Sequence, residues 1–120
     1  MQNNQINYVE LPAKDLEANK AFFSRCFGWQ FEDYGADYTA FSNAGLDGGF
    51  FRANFTSRPQ TGAALVVLYS DHLETTLERV EQCGGIIEQP IFEFPGGRRF
   101  HFLDPCGNEW AVWSKVKAEG

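Results

Sequence analysis

Three cysteines, Cys26, Cys83 and Cys106, are scattered along the chain without a Cys-x-x-Cys pair. That odd and dispersed set supports neither a disulfide scaffold nor a cysteine zinc site. Basic residues are scarce: 10 Lys and Arg stand against 16 Asp and Glu, for a formal net charge of −6, and no basic run exceeds Arg98-Arg99. Nucleic acid is therefore not expected as a partner, because a surface that tracks phosphates needs an excess of Lys and Arg. No run approaches the roughly 20 apolar residues of a membrane span. The opening Met1-Gln2-Asn3-Asn4-Gln5 has neither the basic nor the apolar segment of a secretion signal. The expectation is a cytoplasmic protein with no membrane partner. A Gly-x-Ser-x-Gly nucleophile elbow, a phosphate loop and a dinucleotide fingerprint are also missing. Gly48-Gly49, Gly84-Gly85 and Gly96-Gly97 read instead as turns and helix stops.

What remains is material for one core. The chain has 120 residues, one domain's worth, and 43% of them are hydrophobic, with twelve Phe and three Trp supplying bulk that disordered chains lack. Both halves are acidic: residues 1–60 carry 7 acidic and 5 basic side chains, residues 61–120 carry 9 and 5. Acidity serves solubility, and in a binding site it points to cationic ligands.

Ile6 to Leu11 alternates as a strand does, and Pro12 marks its end. Asp15 is a helix N-cap candidate. Leu16, Ala18, Phe22, Phe23, Cys26 and Phe27 follow near helical spacing until Gly28 offers a stop. The second half repeats the arrangement. An offset of 57 sets Asp15-Leu16-Glu17 on His72-Leu73-Glu74, Val9 on Val66, Leu11 on Leu68, Cys26 on Cys83 and Gly28 on Gly85. Strand-like stretches follow each helix: 29–32, 38–41 and 49–51 in the first half, then 86–88, 99–102 and 109–113 in the second. The turn 43–48 answers 104–108, with Gly45 on Gly107 at an offset of 62. The expected chain is α+β, two βαβββ modules at about 1–58 and 62–120. Each sheet covers one face with its helix and leaves the other for a partner or ligand.

The runs Tyr8-Val9-Glu10-Leu11-Pro12-Ala13-Lys14-Asp15-Leu16, Phe22-Phe23, Phe27-Gly28-Trp29, Gly84-Gly85 and Phe102-Leu103-Asp104-Pro105-Cys106-Gly107-Asn108 resemble the vicinal oxygen chelate superfamily. This group includes glyoxalase I, the bleomycin resistance proteins and the extradiol dioxygenases. The likeness covers essentially the whole chain. It implies paired βαβββ modules forming a cup-shaped open sheet, with two chains meeting as a homodimer. In metal-using members the ligands are His, Glu or Gln, near the start of each module and on its last strand. By motif, those positions fall here on Tyr8, Leu65, Ala111 and about Gly49. Leu, Ala and Gly have no donor and neutral Tyr is a poor one. No metal cofactor is therefore expected, though Glu10 and Glu109, at the same parity, leave a displaced oxygen-rich site open.

Strand parity sends Val9, Leu11, Val66, Leu68, Trp110 and Val112 to the helices. It sends Tyr8, Glu10, Leu65, Val67, Tyr69, Glu109, Ala111 and Trp113 to the cup. Ligand-binding candidates are Tyr8, Glu10, Leu65, Tyr69, Glu109 and Trp113. Tyr8, Tyr69 and Trp113 can stack on an aromatic or cationic ligand, and Glu10 can hold a cation. Glu10 as general base and His101 as an acid/base group are the catalytic candidates, with Tyr8 or His101 as hydrogen-bond donor to a developing oxyanion. Each has a plainer reading: strand residues in solvent, interface packing, or a histidine satisfied locally. His72, at a helix start, reads as structural. Cys26 and Cys83 sit on apolar helix ends, which leaves Cys106 in the closing turn as the expected reactive thiol. The expectation is thus a small-molecule-binding protein with an aromatic and acidic cup and without the usual metal. The alternatives are a metal-dependent lyase, isomerase or dioxygenase of the glyoxalase type, and a metal-free acid/base enzyme using Glu10.

Overall fold

The computed structural model describes residues 1–117. Two βαβββ modules follow one another. The first comprises β1 (Tyr8–Ala13), α1 (Leu16–Phe27), β2 (Gln30–Asp33), β3 (Tyr38–Ser42) and β4 (Asp47–Arg52). A linker with a single 3-10 turn at Pro59–Thr61 leads to β5 (Val66–Tyr69), α2 (Leu73–Gln82), β6 (Ile86–Phe94), β7 (Gly97–Leu103) and β8 (Glu109–Ser114). Each module forms its own four-stranded mixed sheet, ordered β1-β4-β3-β2 and β5-β8-β7-β6, so the first strand of each module is an edge paired in parallel with the last. The α+β architecture is the one the repeat implied.

The helices form where capping and periodicity agree. Asp15 caps α1 by accepting from the Ala18 amide at 3.1 Å, and Gly28 ends it in the left-handed region at φ 73°. The second helix is shorter, ten residues against twelve. Its left-handed stop is Gly84, at φ 100°, rather than the aligned Gly85. Gly85 is required for a different reason: a Cβ there would stand 2.6 Å from Val80 Cγ1 and 3.1 Å from the Phe22 ring. His72 occupies the N-cap of α2 without a side-chain capping bond. Ile6 lies outside the first strand and is 85% exposed.

One core serves both sheets. Phe23 on α1 stacks on Trp29 with centroids 4.5 Å apart and meets Phe50 of β4 and Trp110 of β8 at 5.6 and 4.8 Å. Phe22 beside it reaches Phe102 of β7 at 5.8 Å. The parity reading holds on this side: Leu11, Trp110 and Val112 are buried, and Val9, Val66 and Leu68 pack against them.

The closing turn ties the modules together through polar atoms. Buried Asp104 accepts from the backbone amides of Cys106 and Asn108, from the side chains of Asn108 and Asn19, and from the Trp110 indole, at 2.9–3.1 Å. Burial pushes its carboxyl up, and these donors pull it back. Asn108 also donates to the Pro12 carbonyl at 2.7 Å and accepts from the Ser57 amide at 2.9 Å, joining β1, the linker and β8. Cys106 is buried here, its sulfur bonded to the Asp15 backbone, and burial raises its thiol. The expectation of a reactive, exposed Cys106 is thereby corrected. Burial and the adjacent Cys83 push Cys26 up to about 12.

Candidate functional site

With the helix-side faces sharing one core, the opposite face of each sheet carries no helix, and it mixes exposed side chains such as Tyr8, Val67 and Tyr69 with buried ones such as Ala111 and His101. On module two, the pairing registers set side chains in rows across the strands. Tyr69, Trp113, Arg99 and Phe92 stand side by side on β5, β8, β7 and β6; Val67, Ala111 and His101 form the next row. Tyr69 meets Trp113 edge-on at 4.9 Å and bonds Asp71 through its hydroxyl at 2.6 Å. The Arg99 guanidinium lies 5.2 Å from the Phe92 ring centroid and 5.8 Å from that of Phe94.

Behind this row is a buried polar relay. His101, 4% exposed, shares a hydrogen bond through Nδ1 with Glu109 Oε2 at 2.8 Å. Glu109, itself buried, receives Arg58 Nε and Nη2 on its other oxygen at 3.2 and 3.1 Å, and Arg58 also donates to Glu88 at 2.7 Å. Burial works to raise the Glu109 carboxyl, but His101 and Arg58 outweigh it and hold the group below its ordinary value. Glu109 is thus not the open acidic group expected of the cup. Its charge is already matched by an arginine from the linker, a partner that sequence reading of the strands had no means to assign. His101 Nε2 and Arg99 Nε are both buried, and neither has a hydrogen-bond partner among the described residues.

The module-one face is built from Tyr8, Glu10, Tyr38, Gly49 and Phe51. The Tyr8 and Tyr38 hydroxyls hydrogen-bond to each other. Burial, then the Tyr8 hydroxyl and the neighbouring Glu10, raise the Tyr38 phenol well above its ordinary value. Glu10 is exposed beside this pair. Tyr38 lies across Gly49, so that a Cβ at that position would collide with the Tyr38 hydroxyl. The structure therefore brings Tyr8 and Glu10 together on one sheet, and Tyr69, Trp113, His101 and Glu109 on the other. Leu65 is half-buried just before β5. A separate apolar groove of about 580 Å³ runs along the seam between the modules, bounded by Val9, Trp29, Leu46, Val66 and Leu68.

The sequence profile of the Glyoxalase/Bleomycin resistance protein/Dioxygenase superfamily matches residues 5–112. The chain belongs to this superfamily. Its relatives include CFP32 of Mycobacterium bovis, a glyoxylase by name, 25% identical over 115 residues that cover 89% of this chain and 44% of the relative. The chain thus spans less than half the length of the curated relatives it matches. The fold is shared with the fosfomycin resistance protein FosX of Listeria monocytogenes, at a TM-score of 0.77, 19% identity and 94% coverage of each chain. It is shared too with a glyoxalase-related enzyme of Fulvimarina pelagi, at a TM-score of 0.76, 19% identity and coverage of 92% of this chain and 88% of the other.

By the motif resemblance, the donor positions of metal-using members would fall here on Tyr8, Gly49, Leu65 and Ala111. The strand pairings make Gly49 the counterpart of Ala111: Glu10 faces Gly49 across β1 and β4 as Val67 faces Ala111 across β5 and β8. The donor set does not fit a divalent cation. Three side chains carry no donor atom, and the hydroxyl of the fourth is occupied by Tyr38, whose ring covers Gly49. Among the described residues no group of three or more His, Cys, Asp or Glu converges as a metal site. Glu10 and Glu109 stand on different sheets, one exposed and one bonded to His101 and Arg58, and supply no displaced site together.

Arg58, Tyr38, Phe92 and Arg99 are the site residues that reading the sequence missed. For Arg99 a signal was present. It alternates with His101 on a strand whose intervening Phe100 is apolar, which is the same parity argument that selected Tyr8 and Glu10.

Proposed function

We propose that the protein binds a small molecule on the open sheet faces of its modules, without a divalent metal at the superfamily's usual positions. The observation that carries this reading is the Tyr38 side chain lying over Gly49 and bonded to Tyr8. An aromatic hydroxyl pair stands where the motif resemblance would put metal ligands. Exposed aromatic and aliphatic side chains beside the polar ones, Tyr8, Val67 and Tyr69, suit a planar organic ligand.

A second copy completes each site in this proposal. The edges of β1 and β5 are unpaired in the protomer, and the faces beside them are shallow. A homodimer that sets β1 against the partner's β5 would join two open faces into one enclosed cup. The test is titration of protein treated with chelator against a panel of planar aromatic compounds of either charge, followed by tryptophan fluorescence and by sedimentation. Saturable binding to a dimer in chelator is the expected result. Binding that appears only after Zn²⁺, Ni²⁺, Mn²⁺ or Fe²⁺ is restored would overturn the proposal.

A further inference from the structure

Two polar atoms on one face of β7 are buried without a hydrogen-bond partner among the described residues. Arg98, pointing to the helix side, is held by Glu74 through two bonds of 2.6 and 3.0 Å and by the Val116 carbonyl. Arg99, the next residue, points to the open face and has no carboxylate or carbonyl partner among the described residues, although its Nε is buried. His101, two residues on, faces the same way with Nε2 buried and unpaired. Buried polar atoms are normally satisfied, and two orphans on alternate residues of one strand face need an explanation.

The bonds that do exist define the character of the orphans. The Glu109 carboxylate, held ionised by Arg58, can only accept, so His101 must donate to it through Nδ1. In the neutral ring Nε2 then carries the lone pair and is a hydrogen-bond acceptor. Arg99 presents a permanent positive charge and a planar fork of donors, flanked by the Phe92 and Phe94 rings. An acceptor and a cation two strand residues apart, about 6.6 Å along the backbone, face an aromatic floor of Trp113 and Phe92.

We infer that module two binds a carboxylate-bearing planar ligand that also carries a hydroxyl. The carboxylate pairs with Arg99, the hydroxyl donates to His101 Nε2, and the ring lies against Trp113 and Phe92. Glu109 and Arg58 act as positioning residues, fixing the imidazole tautomer. This rests on the small-molecule reading above and departs from the cationic ligand that the acidic composition suggested, because Arg99, within the Tyr69–Trp113–Arg99–Phe92 row, is positive and has no carboxylate partner among the described residues.

The test uses the metal-free full chain and four probes: 4-hydroxybenzoate, benzoate, 4-hydroxybenzamide and 4-hydroxybenzylamine, with affinities from calorimetry. The acid should bind at least tenfold more tightly than the amide and the amine. Arg99→Met should abolish that preference. His101→Phe should weaken 4-hydroxybenzoate about tenfold while leaving benzoate within threefold. Should His101→Phe fail to fold, long-range ¹H–¹⁵N spectra of the wild-type imidazole replace it, and the Nε2 resonance should move with 4-hydroxybenzoate more than with benzoate. Equal or tighter binding of the amine, or a charge preference that survives Arg99→Met, overturns the inference alone. Failure of all four probes together with the wider aromatic panel overturns the binding reading as well.

Discussion

The two modules share a topology and divide the work differently. In module one the open-face hydroxyls of Tyr8 and Tyr38 satisfy each other. In module two a buried relay from Arg58 through Glu109 to His101 ends in a nitrogen that, like the Nε of Arg99 beside it, has no partner among the described residues. The cores differ in the opposite sense. Gly48 leaves room on β4 for the Phe41 ring, whereas Trp110, its counterpart on β8, reaches across to Phe23, Trp29 and Phe50 of module one. Module two therefore gives Trp110 to the shared core and carries two buried polar atoms, unpartnered among the described residues, on the strand face turned away from it.

Phe23→Ala strikes the part both modules share and should have the largest effect. The ring is fully buried among residues of both sheets, so a loss of about 3–5 kcal/mol is expected. Urea denaturation should still show one transition, since neither module keeps a core of its own. Asn108→Ala cuts the polar tie instead. It leaves the Pro12 carbonyl and the Ser57 amide without a partner, and should cost about 1–3 kcal/mol for each group left buried and unsatisfied.

Glu109→Gln sharpens the contrast through pH. The native carboxyl lies below its ordinary value of 4.5. Its charge therefore contributes stability that is present above about pH 4.5 and is lost as pH falls through the depressed native value. The variant should be less stable than wild type at pH 7 and lose less on acidification from pH 5 to pH 3, as read by chemical denaturation at each pH.

The two open faces should answer small changes to different extents. Tyr38→Phe removes a satisfied hydroxyl bond and should cost about 0.5–1.5 kcal/mol. Arg99→Met removes a guanidinium that makes no hydrogen bond or ion pair among the described residues and should change stability by less than about 0.5 kcal/mol. A large loss for Arg99→Met would show that this arginine serves the fold and would remove the contrast.

Much of this was legible in the residues. The 57-residue offset matched the first strand and the helix of each half, and strand-like stretches marked the six strands that follow, because strand period, cap and stop residues are local signals. It erred at Gly85, where a close approach to Val80 and Phe22, not helix termination, demands glycine. Cys106 looked exposed because turns usually are, but the Asp104 network draws this turn into the interface between the modules. Parity put Glu109 and His101 on the correct face. Their bond to each other and the arrival of Arg58 were not legible, since a linker's path over a sheet depends on tertiary packing rather than on period. Tyr8 and Glu10 fell on one sheet as expected. The Tyr38 side chain that covers Gly49 comes from a different strand, and only the β3–β4 register reveals it.

The central claim is ligand binding without the superfamily's metal, and metal content tests it most directly. Untagged protein purified without chelator should hold far less than one equivalent of metal per chain by mass spectrometry. Its melting temperature should not move on addition of Zn²⁺, Ni²⁺, Mn²⁺ or Fe²⁺. One equivalent of bound metal, or a clear rise in melting temperature with any of the four, would contradict the account and return the protein to the metal-dependent members of its superfamily.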